Sequence, residues 1–406
     1  MRILHTGDWH LGKNLEGQSR LEEQEQFCND FIRMVEEKNI DIVFIAGDIY
    51  DTSNPPARAE KLFYDTLKRL SGNGERLTLV IAGNHDSPER LVAAGPLAME
   101  HGIIMVGTPK TIVPVGEYGK HKVVASGEGY VEVEVNGERA VILTVPYPSE
   151  KRLNEVLYGE MDDDEDRMKS YSDRIHTLFD HLQEHYRENT INLVVSHLFA
   201  MGSEEAGSER SIQLGGSYIV NGSCFPEKAQ YIALGHVHKP QIVPGTSHRA
   251  RYSGSPLHYN KKEIAYEKKC FVVDVKAGEE AKVEEVPFAV YKPIEIWKCN
   301  GVEAAIALCE ENKDRDCWVY LEVTTDSYIR EDQIKAMKDL KKDILEITPK
   351  LTSIEEEEEE VSLSELKFDE IFKGFYKKER GVDADNELVE LLLSIVNEEG
   401  EKDETN

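Results

Sequence analysis

The sequence predicts an α/β protein, a parallel sheet covered by helices with a second sheet beside it. Apolar β-type runs alternate with amphipathic helical stretches from Ile3 to Gly83. Short runs with turn signals follow from Ile103 to Tyr147. Two later apolar runs, Ile191–Val195 and Tyr231–Leu234, each lead into histidines.

Ile3-Leu4-His5-Thr6 reads as the first strand and Gly7-Asp8-Trp9-His10 as the loop leaving it. Asp8 and His10 are two apart, so in extended backbone they point the same way. Residues 20–38 have helical patterning, with Leu21, Phe27, Phe31, Ile32, Met34 and Val35 near one face. Asp41–Ala46 is a second buried strand, followed by Gly47-Asp48-Ile49-Tyr50-Asp51. An amphipathic helix at 59–70 comes after Pro55-Pro56. Leu77–Ala82 is the third strand, and Gly83-Asn84-His85-Asp86 stands at its carboxyl end, where open α/β sheets place their ligands. Strands separated by helices imply parallel pairing. From Ile103 the texture suggests antiparallel strands of a second sheet, with Asn136-Gly137 as a hairpin turn. Residues 159–166 read as an acidic surface loop lacking the EF-hand glycine and terminal Glu, and 170–186 as a helix. Arg251–Pro256 and Cys270–Val275 are expected to close the second sheet.

With 406 residues, 40% hydrophobic and 31% charged, the chain can form more than one domain. The expected division is a main domain at 1–280, a small α/β module at 286–350, an acidic linker at 351–361 and helices at 362–398. The module is read from strand-like Ile294–Cys299, Trp318–Thr324 and Ile344–Ile347 and helical 302–311 and 330–341. Ser362 and Glu365 form a capping box for a helix at 362–378, and Asp385 caps another at 385–396. Two such helices bury little alone, so a partner's surface is their expected contact.

No apolar run approaches the roughly 20 residues that span a bilayer, and the first residues lack a signal-peptide core. A cytoplasmic protein that binds no membrane is expected. The six cysteines include no CxxC pair and read as reduced thiols. The net charge of −29 argues against a broad electrostatic nucleic-acid surface. However, residues 355–406 hold 19 acidic and 6 basic side chains, so nearly half the excess lies there. The body can still carry local basic loops.

The chemistry-bearing groups are Asp8, His10, Asp48, Asn84, His85, Asp86, His197, His236 and His238. One strand-end histidine is more often a polar core residue than a ligand; five such stations in one chain decide otherwise. Imidazole, carboxylate and amide without thiolate suit Mn²⁺, Fe²⁺ or Zn²⁺. The set is too large for one ion and about right for two. Two divalent ions bring about +4 and two carboxylates return about −2, so the site is cationic and suits a phosphate ester.

Asp8-x-His10, Gly47-Asp48-x-x-Asp51, Gly83-Asn84-His85-Asp86, His197 and Gly235-His236-x-His238 resemble the calcineurin-like metallophosphoesterases. The run from Gly7 to Gln24 and Tyr252-Ser-Gly-Ser-Pro-Leu257 are similar to the bacterial SbcD nuclease subunits. The likeness covers roughly residues 1–275 by motif and the remainder by arrangement. The resemblance implies a two-sheet αββα sandwich carrying two metal ions, with a small α/β capping domain and C-terminal helices. It implies that Asp8, His10, Asp48 and His238 hold one ion, and that Asp48, Asn84, His197 and His236 hold the other. His85 would act on the scissile phosphate, held by Asp86, while Asp51 would hold a loop or support a ligand. Lys13, Asn14 and Arg20 would contact DNA phosphates. Manganese, an SbcC-like coiled-coil ATPase, and a homodimer within a heterotetramer are likewise implied, the dimer through helices near 59–70 and 90–100. The expected activity is that of a DNA exonuclease and a single-strand or hairpin endonuclease in repair and recombination.

Two rivals belong to other classes. A phosphoesterase of small molecules or phosphoproteins would carry the same metal motifs, and the long segment after the catalytic core argues against it. A non-catalytic DNA-end scaffold would not need a complete ligand set.

Overall fold

The computed structural model describes residues 1–149, 171–209 and 218–351. The expected acidic loop at 159–166, most of the linker and the C-terminal helices lie outside the described residues. Met1–Lys350 pack as one compact unit.

Two sheets face each other. The first has six strands in the order Lys282–Pro287, Lys269–Asp274, Arg2–Thr6, Ile42–Ala46, Leu77–Ile81 and Ile103–Val106. Its last four strands run parallel, and Lys269–Asp274 lies antiparallel against Arg2–Thr6. The second has eight strands in the order Gln241–Ile242, Ala250–Tyr252, Tyr231–Gly235, Ile191–His197, Glu138–Val145, Tyr130–Val135, His121–Gly127 and Gly116–Tyr118.

Alternation along each buried strand sorts its side chains into different layers. Ile3, Ile42 and Phe44 point between the sheets, where they meet Val133, Ile142, Leu193, Val195 and Ala233. Leu4, Val43 and Ile45 point outward onto Phe27, Phe31, Phe63 and Leu67 of helices Leu21–Glu37 and Ala57–Leu70. On the far side, Val141, Leu143, Val194 and Ile232 pack against Ile175, Leu178 and Phe179 of helix Tyr171–Leu182. The result is the α/β/β/α sandwich.

Three expectations change. Lys269–Asp274 belongs to the first sheet, not the second. Its buried run satisfies any strand partner, and the register Arg2 to Asp274 through His5 to Phe271 is chosen by contacts between distant chain segments. Ile103–Val106 likewise extends the first sheet, beside Leu77–Ile81. The helix expected at 170–186 ends at Leu182 and tightens to a 3₁₀ turn at Gln183–His185.

Residues 294–351 form a three-stranded sheet, Ile294–Asn300, Trp318–Thr325 and Ile344–Leu351, with helices Val302–Glu311 and Glu331–Leu340 on one face. Its other face carries Ile294, Trp318, Tyr320 and Leu345 against Leu15. Among the described residues no helix is long and apolar enough to cross a membrane. All six cysteines are free and buried, as their spacing suggests.

Candidate metal centre

The loops that leave the parallel strands carry the ligand-type side chains. Residues 7–11 and 47–51 run side by side, with Asp8 N–H donating to Gly47 C=O, His10 N–H to Asp48 C=O, and Leu11 N–H to Ile49 C=O. Asp8, His10, Asp48 and His236 all adopt positive φ, at 53°, 46°, 50° and 105°. Each is a costly backbone for a side chain with a Cβ, and such outliers cluster at functional sites.

Two glycines are explained by close approach. A Cβ on Gly83 would lie 2.1 Å from Asp48 Oδ1, and one on Gly235 1.9 Å from the Ala46 carbonyl. Gly83 does not have positive φ, so its purpose is to admit Asp48 rather than to turn the chain.

The expected ligands meet as two groups, and His10, Asp51 and His85 form a third that shares His10. In one, His10 Nε2 and His238 Nε2 face each other at 2.9 Å beside Asp8. In the other, Asn84 Oδ1 lies 2.9 Å from His197 Nε2 and 3.0 Å from His236 Nδ1, with Asp48 adjacent. Asp48 Oδ2 stands 3.6 Å from His10 Nε2 and 3.5 Å from His197 Nε2, between the two groups. Its other oxygen accepts from the His85 N–H at 2.9 Å. Asp8 Oδ1 accepts from the His236 N–H at 2.8 Å, whereas Asp8 Oδ2 is buried with no hydrogen-bond partner.

This donor set fits divalent cations. A buried carboxylate oxygen without a partner is costly, and two imidazole nitrogens turned on each other leave at least one lone pair unanswered unless a proton or cation intervenes. The electrostatics agree. Burial pushes the Asp8 carboxyl upward in pKa against the pull of His197 and His238. Burial also resists ionisation of Asp48, yet His197, His10 and His85 hold its pKa well below the usual range. Burial lowers His10 and His236 to about 3. Burial pulls His197 down as well, but the charge and hydrogen bond of Asp48, the Asp8 charge and the Ala46 carbonyl together raise it to about 9. A cation would replace the protons that this dry cluster otherwise needs.

His85 lies beside the two groups, its ring edge-on to His10 at 4.7 Å between centroids. Its Nδ1 is 2.6 Å from the Asp51 carbonyl oxygen, which makes Nδ1 the donor. Asp86 was expected to hold His85. Its carboxylate instead accepts from the backbone N–H groups of Gly83, Ile49 and Tyr50, at 2.8, 3.2 and 3.0 Å. The reason is geometric: in this turn the carboxylate points back to its own strand end and the neighbouring loop. Asp51 Oδ1 pairs with Lys13 Nζ at 2.8 Å and lies 3.6 Å from His10 Nδ1.

The expected phosphate contacts separate. Arg20 is 2% exposed, and its guanidinium is bound to the Glu23 carboxylate and the His258 carbonyl, so it has no surface to offer DNA. Lys13 is turned onto Asp51. Asn14 is exposed on the hairpin of Asn14–Leu15 and Gln18–Ser19. The sequence reading missed Ser208, Glu209, Glu263 and Lys268 around His238 and Gln24 beneath His10, since none follows a strand and their partners are remote in sequence.

Comparison with known proteins agrees with this geometry. Residues 1–240 match the calcineurin-like phosphoesterase family, and residues 290–380 match the Type 5 capsule protein repressor C-terminal domain. The chain is 38% identical to the SbcD subunit of the SbcCD nuclease of Bacillus subtilis over 406 residues, covering 99% of this chain and 100% of that one. It is 31% identical to the corresponding SbcCD nuclease subunit of Rhodobacter capsulatus over 284 residues, covering 68% of this chain and 67% of that one. A metallophosphoesterase sandwich, two adjoining groups of ligand-type side chains and full-length similarity converge: the chain belongs to the SbcD-type nuclease subunits of the calcineurin-like phosphoesterases, a family of metal-dependent phosphodiesterases.

Proposed function

We propose that the protein is a two-metal DNA nuclease subunit, an exonuclease on duplex ends and an endonuclease on single strands and hairpins. The observation that carries this reading is the placement of Asp48 Oδ2 between two groups of ligands. Asp8, His10, Asp48 and His238 would hold one ion, and Asp48, Asn84, His197 and His236 the second, with manganese as the expected metal. Bound, such ions polarise phosphoryl oxygens and lower the pKa of an attacking water.

The chain's own residues position and discriminate. Asn84 contributes a neutral oxygen, so the second group keeps more positive charge for a phosphodiester. His85, with Nδ1 committed to the Asp51 carbonyl, presents Nε2 to a phosphate oxygen. Asp86 holds the strand end and the 47–51 loop together through three backbone N–H groups. Lys13 and Asn14 stand at the first loop and hairpin, where a DNA backbone entering the centre would pass.

The relatives' name, which makes them part of SbcCD, supports work with an SbcC-type coiled-coil ATPase in DNA end processing. We assign the grip on that partner to the helices at 362–398, beyond the acidic linker at 351–361. The main domain at 1–280 would carry the chemistry and the module at 286–350 would cap it. A homodimer through helices Ala57–Leu70, Pro88–Val92 and Gly95–Met99 completes a cytoplasmic heterotetramer.

The test is Mn²⁺-dependent digestion of end-labelled duplex and hairpin DNA, with and without the ATPase. His85→Ala should lose about 10²–10⁴-fold in rate, in line with removal of a proton-transfer group, while retaining bound metal. DNA left intact under both conditions, alongside hydrolysis of a small phosphodiester, would move the protein to the small-molecule phosphoesterases.

A further inference from the structure

Behind His238 lies a buried ion pair that the proposed chemistry does not use. Glu263 and Lys268 are 0% and 3% exposed, and Glu263 Oε2 is 2.5 Å from Lys268 Nζ. Lys268 also donates to the His238 carbonyl at 3.0 Å and to Ser255 Oγ at 2.7 Å. The other Glu263 oxygen accepts from the Ser208 hydroxyl, whose Oγ lies 2.5 Å from His238 Nδ1. Glu209, the next residue, accepts from the His238 backbone N–H at 2.9 Å.

The proton count on Ser208 is decisive. A hydroxyl has one proton to give, and an ionised carboxylate only accepts. Ser208 therefore donates to Glu263 and must accept from His238 Nδ1–H. This fixes one tautomer, with Nε2 bare and aimed at His10 Nε2 beside Asp8. A carboxylate linked to the far nitrogen of a ligating imidazole also raises its basicity. The other group is supported differently, because His197 Nδ1 faces the neutral backbone carbonyl of Ala46 at 2.8 Å. A buried ion pair is a poor source of net stability, so its presence here calls for another purpose.

We propose that Ser208, Glu263 and Lys268 are positioning residues that make the Asp8–His10–His238 position the tighter of two metal positions. The proposal rests on the two-metal reading of the centre.

Calorimetric titration of Mn²⁺ into chelator-stripped full-length protein tests it, with spin-coupled Mn²⁺ resonance as a second readout. Wild type should show two classes of site. Ser208→Ala should weaken the tighter class by about 10–100-fold, the range for loss of a ligand's outer partner. The weaker class should not move. Ser208→Thr, which keeps the hydroxyl, should restore tight binding. Glu263→Gln combined with Lys268→Met removes the pair without stranding a charge and should reproduce the Ser208→Ala result. Unchanged binding in Ser208→Ala, or equal weakening of both classes, overturns the proposal. A wild type that binds fewer than two ions overturns the two-metal reading instead.

Discussion

His5 stands three residues before Asp8, wholly buried, with Nδ1 2.9 Å from the Tyr231 hydroxyl and Nε2 3.1 Å from the Leu234 carbonyl. Burial lowers its pKa from 6.5 to about 3. The unfolded chain takes up this proton near pH 6.5, whereas the folded protein does so only near pH 3. The contribution is therefore complete above pH 6.5 and is lost progressively as pH falls toward 3. Urea midpoints should drop between pH 7 and 5, His5 alone giving up to ~1.4 kcal/mol per pH unit. His5→Gln should flatten that slope by about one proton, and an unaltered slope would remove His5 from the account. Asp8, His10, Asp48, Asn84, His197, His236 and His238 were legible because each follows an apolar run that positions it. Ser208 and Glu263 were not, since a loop serine 30 residues before its imidazole and 55 before its carboxylate has no periodic signature. Arg20 shows the opposite error. Its charge is visible in sequence, but the Glu23 carboxylate and His258 carbonyl that bury it are visible only in the fold.

The element that joins the small module to the centre is the first turn of helix Leu21–Glu37. Trp318 Nε1 donates to Glu23 Oε1 at 2.8 Å, and Lys292 Nζ lies 4.0 Å above the Trp318 ring. One residue further, Gln24 donates to the His10 carbonyl at 2.8 Å and accepts from the Gly12 N–H at 2.9 Å. The module's sheet and a candidate metal loop thus share one helical turn. Trp318→Phe keeps the apolar contact and removes the donor, and should cost about 1 kcal/mol. Hydrogen exchange should quicken in Ile294–Asn300 while Ile42–Ala46 keeps its protection. Uniform quickening across both sheets would show that the link is not local. The strands of this module were readable from β-branched and aromatic runs. The partner of Lys269–Asp274 was not, because a strand buried through its middle states its propensity but not its neighbour.

For the molecule as a whole, the exposed apolar groove between helices Ala57–Leu70 and Gly95–Met99 bears on assembly. It encloses about 570 Å³ lined by Tyr64, Leu67, Ala94, Leu97, Ala98 and Met105, and Leu97 is 74% exposed. A contiguous apolar surface of this kind marks a contact site. In the homodimer reading, Leu97→Glu should shift sedimentation to the monomer. A dimer that survives the substitution would relocate the interface. The centre itself is built from both sheets, with Asp8, Asp48 and Asn84 from one and His197, His236 and His238 from the other. The strand that presents Asp8 is flanked by Ile42–Ala46 on one side and Lys269–Asp274 on the other. That pairing places the first strand beside one made more than 260 residues later, with register Arg2 to Asp274. Pairings this remote in sequence form late, after shorter loops have closed. A growing chain on the ribosome therefore holds Asp8 and His10 long before it can assemble the candidate centre, which waits until synthesis has passed the strand at Lys269–Asp274.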